Sequence, residues 1–176
     1  MERNKKNANS KEKIALKDDI LFLLLKIAIF AMIFFIMFFF VFGIKRSNDY
    51  SMYPAIKDGD LALYYRLQKN FQVGDVVVIK KDGKEEIRRI IALPGDKVDI
   101  TKDGLKINGY LQQENRIYSE TLPYVKGIKF PIRIGRDEYF LLADKRENSR
   151  DSRVYGTIYK EDIKGLVITL IRRRGI

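Results

Sequence analysis

An uninterrupted apolar segment near the N-terminus is the feature that most limits how this chain can fold. Residues 20–44 read ILFLLLKIAIFAMIFFIMFFFVFGI, and the 18 residues from 27 to 44 carry no charge. A helix rises about 1.5 Å per residue, so a segment of this length crosses the roughly 30 Å hydrocarbon layer of a bilayer with some tilt. The segment predicts a transmembrane anchor in which Lys26 extends its ammonium group toward the headgroups.

A cleaved secretory signal is the competing interpretation of the same segment. Such a signal has a shorter apolar core and ends in a small-residue A-x-A site, and the sequence FFFVFGIKRSND offers no such site. Residues 1–19 carry six Lys and Arg residues, whereas the opposite flank opens with Lys45 and Arg46 alone. The positive-inside rule therefore predicts a cytoplasmic basic tail at 1–19, an uncleaved anchor at 20–44 and an extracytoplasmic domain at 45–176.

The predicted outer domain remains basic when the tail is set aside. The chain has 34 Lys and Arg residues against 23 Asp and Glu residues, a formal net charge of +11, and residues 45–176 retain 27 basic against 19 acidic residues. Beside anionic lipid, this excess predicts attraction to the membrane surface. Nucleic acid is the other usual partner of a basic chain. It is not expected here, because the sequence has no recognisable nucleic-acid-binding motif and the domain is predicted to lie outside the cytoplasm.

The chain contains no histidine, cysteine or tryptophan. A Ser-His-Asp triad and a His-ligated zinc site are therefore excluded, as are a thiol nucleophile, a disulfide and an iron–sulfur cluster. A hydrolase built from this sequence has to use Ser, Lys, Arg, Asp, Glu or Tyr side chains, or a bound hard metal. We predict neither a cofactor nor a metal site.

Beyond the apolar segment the sequence changes to a strand pattern. Short runs rich in β-branched and aromatic residues, such as LALYYRL, DVVVIK, EIRRIIAL and GLVITLI, alternate with Gly, Asp, Asn and Pro. Asp82-Gly83 and Asn108-Gly109 predict hairpin turns, residues 112–135 are expected to be rich in loops, and a short helix is expected around 159–163. The sequence thus predicts a mostly β fold, an antiparallel β domain on a single N-terminal transmembrane helix.

Four motifs follow the apolar segment in order. They are Ser51-Met52-Tyr53-Pro54, Gly74-Asp75-Val76-Val77-Val78, Arg88-Arg89 with the later Pro94-Gly95-Asp96, and the segment ADKRENSRDSR at 143–153. This series resembles the signal peptidase I family, specifically its small Gram-positive type with one anchor. The resemblance implies a signal-peptidase-like β domain and a serine endopeptidase that removes signal peptides from secreted preproteins.

The resemblance also implies roles for particular residues. In the family, a serine hydroxyl attacks the scissile carbonyl, and a lysine made neutral by burial accepts its proton. Carried over to this chain, Ser51 is the nucleophile and its backbone N–H donates to the oxyanion. Met52 helps to line the pocket for small substrate side chains, while Ser149, Asp151 and Arg153 support the site.

Arginine stands where the family has its lysine. Arg88 lies six residues before the proline of the Pro-Gly-Asp motif, and a guanidinium stays charged because its pKa exceeds about 12. Arg88 therefore cannot accept a proton from Ser51. Lys80, Lys81 and Lys84 are substitutes for the base only if the strand pairing brings one of them to the serine.

Asp49 is a second departure from the family, which commonly has Gly or Ser two residues before the nucleophile. A carboxylate here would oppose a developing oxyanion and would pair well with a cation. We therefore predict an Asp49–Arg88 ion pair in place of the catalytic dyad. The alternative is that both side chains face solvent.

Two functional classes remain open. In the first, the chain is weakly active or non-catalytic and binds secreted preproteins or pilins without cutting them. The dyad-altered signal-peptidase-like proteins of pilus assembly clusters, which assist sortase-dependent polymerisation, are such proteins, and this chain resembles them in its YYRL segment. In the second, it is an active signal peptidase that cleaves through Ser51 with an unorthodox base. Loss of a dyad member favours the first class, and retention of Ser51 keeps the second open.

Overall fold

The computed structural model describes residues 2–114, 117 and 119–172, with side chains described from residue 16 onward. The chain divides into two compact units at the junction of Val41 and Phe42. The first unit is helix α1, Glu2–Val41. Its stretch Leu16–Val41 has a mean hydropathy of 2.9 and is long and apolar enough to cross a membrane.

The helix ends three residues before the end of the apolar segment seen in the sequence. Phe42, Gly43 and Ile44 instead begin the first strand, where they pair with Tyr65, Tyr64 and Leu63. Gly43 leaves room for the ring of Tyr64, because an added Cβ would lie 2.2 Å from Cζ of Tyr64 and the ring would have to move. The ring of Tyr64 therefore covers the backbone of this strand directly after the helix.

Within its described residues, the second unit is built from antiparallel strands in two sheets, with one short α-helix and one 3-10 turn. The strands are β1 Phe42–Arg46, β2 Leu61–Tyr65, β3 Val76–Lys81, β4 Lys84–Ala92, β5 Lys97–Thr101, β6 Gly104–Ile107, β7 Tyr110–Leu111, β8 Ile132–Arg133, β9 Glu138–Leu142, β10 Ile158–Tyr159 and β11 Ile163–Ile171. The larger sheet has the order β1-β2-β11-β3-β4-β9-β10, and the smaller has the order β7-β6-β5-β8. Helix α2 is Ser152–Tyr155, and the 3-10 turn is Lys160–Asp162.

These elements confirm the mostly β fold predicted from the sequence. Both predicted hairpin turns are present, with φ of +49° at Asp82, +75° at Gly83, +53° at Asn108 and +89° at Gly109. These are the left-handed conformations that Asn, Asp and Gly adopt most readily. The short helix expected around 159–163 is the 3-10 turn, and the described part of 112–135 is loop apart from the two residues of β8.

Strands β3 and β4 form the centre that positions the functional residues. They are joined by the Asp82-Gly83 turn, and their register places Val77 opposite Arg88. A cluster of buried side chains packs against this hairpin and includes Met52 from the loop after β1; its members are Met52, Ile56, Ala62, Tyr64, Val78 and Ile87. The apolar core therefore anchors the loop that carries Ser51 next to the strand that carries Arg88.

Candidate active site

Ser51 lies in the loop between β1 and β2, and backbone hydrogen bonds hold this loop at both ends. The N–H of Ser47 donates to the carbonyl of Asp60 at 2.8 Å, and the N–H of Lys145 donates to the carbonyl of Ser51 at 2.9 Å. Met52, the next residue, is 1% exposed within the core. Ser51 itself is 9% exposed, so its position is determined by the core on one side and by the 143–153 segment on the other.

Asp49 contacts Ser51 through a single carboxylate oxygen. Oδ1 of Asp49 accepts the backbone N–H of Ser51 at 3.0 Å and the Oγ hydroxyl of Ser51 at 2.6 Å. The backbone N–H is the group expected from the sequence to stabilise an oxyanion, and the hydroxyl is the expected nucleophile. One carboxylate oxygen therefore holds both groups on which acyl transfer at Ser51 would depend.

Arg88 reaches the same hydroxyl from the opposite side. Its Nη1 donates to Oγ of Ser51 at 2.9 Å and to the carbonyl of Ile87 at 2.6 Å. Its Nε and Nη2 donate to the carbonyl of Arg150 at 2.9 and 2.7 Å. The residue is 2% exposed, so a buried guanidinium lies directly beside the serine hydroxyl.

The ion pair predicted between Asp49 and Arg88 is not formed among the described residues. The Ser51 hydroxyl stands between the two side chains, donating to one and accepting from the other. Arg88 pairs instead with Glu86, with 3.1 Å between Nη2 and Oε2. The prediction was wrong because a two-residue separation from Ser51 lets Asp49 bond that residue locally, in the manner of an Asx turn.

Glu86 is a neighbour of Arg88 in the site that the sequence motifs did not reveal. Residues two apart on a strand point to the same face of the sheet, so the alternation along β4 was a signal that Glu86 and Arg88 lie side by side. Oε1 of Glu86 also lies 3.6 Å from Nη1 of Arg150. The carboxylate therefore lies between two guanidinium groups.

The lysines considered as substitutes for the base have other positions. Lys80 and Lys81 lie three and four residues beyond Val77, the partner of Arg88, which is about 10–13 Å along the strand. Lys81 places its Nζ 5.7 Å from the centre of the Tyr155 ring, and Lys84 is exposed at the hairpin turn. In the described structure the side-chain partners of the Ser51 hydroxyl are Asp49 and Arg88.

Ser149, Asp151 and Arg153, which were expected to support the site, form hydrogen bonds within the 143–153 segment. This segment bonds Ser51 through the N–H of Lys145. Asp151 is fully buried and accepts hydrogen bonds from Nε and Nη2 of Arg153 at 2.9 and 2.8 Å. Arg153 then donates through Nη2 to the carbonyl of Arg146 at 2.6 Å. Ser149 donates through Oγ to the carbonyl of Lys145, the residue whose N–H bonds Ser51.

An ion pair between Arg89 and Asp144 links the 143–153 segment to β4. Arg89 donates through Nε and Nη2 to the two carboxylate oxygens of Asp144 at 2.7 and 2.6 Å. These hydrogen bonds raise the pKa of the Arg89 guanidinium, and the two-point geometry fixes Asp144 beside the strand. The position of Lys145, and through it that of Ser51, is thereby set relative to Arg88.

An open cleft lies close to Ser51, beside residues that follow it in the chain and beside Lys145, which bonds its carbonyl. It has a volume of about 550 Å³ and is lined by Tyr53, Pro54, Ser119, Asp144, Lys145 and Glu147. Tyr53 and Pro54 follow the serine along the chain, and Tyr53 is 49% exposed. No group of three or more acidic side chains within the described residues is arranged to hold a metal ion. The site thus consists of a serine hydroxyl between a carboxylate and a guanidinium, with an open cleft close by.

Comparison with known proteins places this site in a family. The sequence profile described as "Signal peptidase, peptidase S26" matches residues 20–171. The chain belongs to the signal peptidase I family. The signal peptidase I of Bacillus licheniformis is 34% identical over 143 residues, covering 72% of this chain and 74% of that protein. Signal peptidase IB of Staphylococcus aureus strain COL is 29% identical over 171 residues, covering 86% and 89%.

A crystal structure of a signal peptidase I from Enterococcus faecalis aligns with a TM-score of 0.48 and 24% identity, covering 57% of this chain and 98% of that chain. The family match confirms the resemblance drawn from the four motifs. The family acts on secreted preproteins, and a single N-terminal apolar helix fits a membrane anchor in it. In this chain the Ser51 hydroxyl is bonded by the carboxylate of Asp49 and the guanidinium of Arg88.

Proposed function

We propose that this chain is a weakly active or non-catalytic member of its family, which binds secreted preproteins at the outer face of the membrane. The observation that carries the proposal is the pair of hydrogen bonds from Ser51 to Oδ1 of Asp49, at 3.0 Å from N and 2.6 Å from Oγ. They engage the nucleophile and the oxyanion donor together.

Proton transfer from Ser51 is the first step that this arrangement disfavours. Arg88 donates to Oγ and, as a guanidinium, has no lone pair available to accept the proton. Asp49 is the acceptor of the hydroxyl proton, and a carboxylate is intrinsically a weaker base than the neutral amine of a lysine. The serine consequently lacks a partner able to remove its proton readily at neutral pH.

Stabilisation of the oxyanion is the second step that this arrangement disfavours. The N–H of Ser51 is directed at a carboxylate oxygen rather than at an empty position. A substrate oxyanion would have to displace this carboxylate and would be repelled by its charge. Loss of one oxyanion donor alone costs about 2.7–4 kcal/mol, or 10²–10³ in kcat. Together with the weak base, this predicts cleavage slower by several orders of magnitude than in relatives that have the lysine.

Binding of a polypeptide, in contrast, is supported by the open cleft close to Ser51. The cleft of about 550 Å³ is lined by Tyr53 and Pro54 beside the serine, and a polypeptide can enter without any chemistry at Ser51. Secreted preproteins or pilins are the proposed ligands, with a sortase as a further partner in assembly. Anionic lipid is proposed as a third partner, because residues 45–176 hold 27 basic against 19 acidic residues.

The proposal includes a membrane topology. Residues 1–19 would be a cytoplasmic tail, residues 20–44 the anchor and residues 45–176 the extracytoplasmic domain. This orientation is supported by six basic residues before the apolar segment against Lys45 and Arg46 directly after it. A ligand emerging from the membrane would then meet the domain on the outer side.

A second candidate function is favoured by one contact. The hydroxyl of Ser51 points its proton at Asp49 over 2.6 Å, the direction required if the carboxylate acts as the unorthodox base of an active signal peptidase. Arg88 would then stabilise the developing alkoxide through Nη1. This candidate predicts cleavage that depends on Ser51 and Asp49 together.

The test uses the full chain in phospholipid vesicles with a preprotein, and with the same protein lacking its signal peptide. Wild type, Ser51→Ala and Asp49→Asn are compared, with the signal peptidase I of Bacillus licheniformis as the active control. Cross-linking measures binding, and mass spectrometry measures the product. We expect wild type and Ser51→Ala to bind the preprotein in preference to the matched protein, with cleavage at least several orders of magnitude slower than by the active control. Equal cross-linking of the two ligands would contradict binding. Cleavage by wild type at the rate of the active control would contradict weak or absent activity, and its loss in both Ser51→Ala and Asp49→Asn would establish the second candidate.

A further inference from the structure

We infer that Glu86 is a positioning residue, whose carboxylate favours a positively charged side chain at position 88, beside Ser51. The inference rests on the proposed function, because it explains why replacing arginine by lysine would not by itself return a neutral base to this site. Glu86 contacts neither Ser51 nor the cleft residues in the described structure. It acts through Arg88, with 3.1 Å between Oε2 and Nη2.

The hydrogen-bond acceptors of Arg88 are all neutral oxygens. They are the carbonyls of Ile87 and Arg150 and the hydroxyl of Ser51. Such acceptors satisfy the donors of a guanidinium, but they leave its charge uncompensated in a side chain that is 3% exposed. Buried charges are found paired, because an unpaired one is strongly disfavoured. Among the described residues, Glu86 supplies the carboxylate in ion-pair contact with Arg88.

Glu86 in turn depends on the two arginines. Its side chain is 12% exposed, and Oε2 is shielded from solvent without accepting a hydrogen bond. Charge attraction to Arg88, and to Arg150 at 3.6 Å, is therefore what compensates its burial. The carboxylate and the guanidinium at position 88 stabilise each other's charged state, so the local field favours a cation at this position.

The charged and titratable side chains around position 88 come from several elements. Asp49 lies in the loop after β1, Glu86 on β4, Arg150 in the 143–153 segment and Tyr155 on α2, while Lys81 of β3 faces the Tyr155 ring at 5.7 Å. Tyr155 stays neutral at ordinary pH, since burial raises the pKa of its phenol. The two carboxylates would favour a protonated lysine at position 88, and of the two Glu86 is the one in ion-pair contact with Arg88 in the described structure.

The first measurement follows the guanidinium of Arg88 directly. Full-length protein labelled with ¹⁵N-arginine in detergent micelles is compared as wild type, Glu86→Gln and Glu85→Gln, and exchange of the Nη2 hydrogens of Arg88, the group in contact with Glu86, is recorded by NMR. Glu85 is the matched control, because it lies on the same strand, is 40% exposed and contacts Lys45 at 3.9 Å. We expect Glu86→Gln to accelerate exchange about tenfold, since a charge-assisted contact is replaced by a neutral one. Glu85→Gln should leave exchange unchanged. Equal exchange in all three proteins would overturn the inference.

The second measurement determines the charge of a lysine placed at position 88. In Arg88→Lys, the ε-carbon of the new lysine is titrated by ¹³C NMR, alone and combined with Glu86→Gln or with Glu85→Gln. The midpoint should fall by about 1–3 pH units when Glu86 is neutralised and should not move when Glu85 is neutralised. Identical midpoints would overturn the inference. Neither readout requires cleavage, so a wild type that cuts preproteins would refute the proposed function while leaving this result to be judged separately.

Discussion

Neutralising Asp151 should destabilise the β domain far more than neutralising an exposed aspartate. Asp151 is fully buried and Arg153, its ion-pair partner, is 1% exposed. The carboxylate also accepts the backbone N–H of Ala143 at 3.2 Å and that of Arg153 at 3.1 Å. Asp151→Asn keeps the volume but leaves the guanidinium of Arg153 without its counter-ion.

The expected cost is about 3–5 kcal/mol, the range measured when one partner of a buried ion pair is removed. For a domain of this size, that corresponds to a fall in Tm on the order of 10–20 °C. The matched control is Asp103→Asn, which breaks a contact with Lys106 in which the aspartate is 72% exposed. Such a pair contributes about 0–1 kcal/mol.

Thermal unfolding of the full chain in detergent, followed by circular dichroism in the β region, measures both variants against wild type. A fall in Tm for Asp151→Asn no larger than that for Asp103→Asn would refute the argument that this buried pair holds the 143–153 segment together. Loss of a single well-defined transition in Asp151→Asn alone would agree with it.

Three further predictions concern other parts of the domain. Gly165→Ala should destabilise the domain by about 1–3 kcal/mol in urea unfolding, because the new Cβ would lie 2.3 Å from the carbonyl oxygen of Tyr65. The control is Thr169→Ala, at an exposed position of the same strand, which should have little effect. Burial raises the pKa of Tyr155, so the unfolded phenol ionises first; the stability this tyrosine contributes is present below about pH 10 and is lost as pH rises further. Tyr155→Phe should therefore lose less stability between pH 8 and 11 than wild type, and an equal loss in the two proteins would contradict this. Arg89→Lys should cost about 1–2 kcal/mol in the same urea assay, because a lysine cannot form both hydrogen bonds to Asp144; an unchanged midpoint would contradict the two-point contact.

The fold was predictable because its signals are local. The two hairpin turns follow from Asp-Gly and Asn-Gly pairs, which adopt positive φ readily. The mostly β character follows from short β-branched runs between turn residues. The end of the helix was less predictable, since Phe42 to Ile44 are as apolar as the residues before them. Their strand conformation depends on pairing with β2, which composition does not show.

The site was predictable where the family motifs carry it and unpredictable where it depends on packing. The order of motifs indicated that Arg88 occupies the position of a lysine, and the structure brings it to 2.9 Å from Oγ of Ser51. The partner of Asp49 was predicted wrongly, because the sequence allows both a local hydrogen bond to Ser51 and an ion pair with the distant Arg88. The structure contains the local hydrogen bond. The role of Glu86 could be suspected from strand alternation, but the backbone carbonyl of Arg150 that orients Arg88 belongs to a segment 62 residues away.

Whether Ser51 acts as a nucleophile is the most direct question to put to this protein. The measurement is prolonged incubation of the full-length wild type with a preprotein in vesicles, with mass spectrometry of the substrate for a new N-terminus and Ser51→Ala in parallel. The account predicts that the preprotein stays bound and that wild type forms a new N-terminus at least several orders of magnitude more slowly than a relative that has the lysine. A new N-terminus formed by wild type and abolished in Ser51→Ala, at a rate comparable with that of a relative that has the lysine, would contradict it.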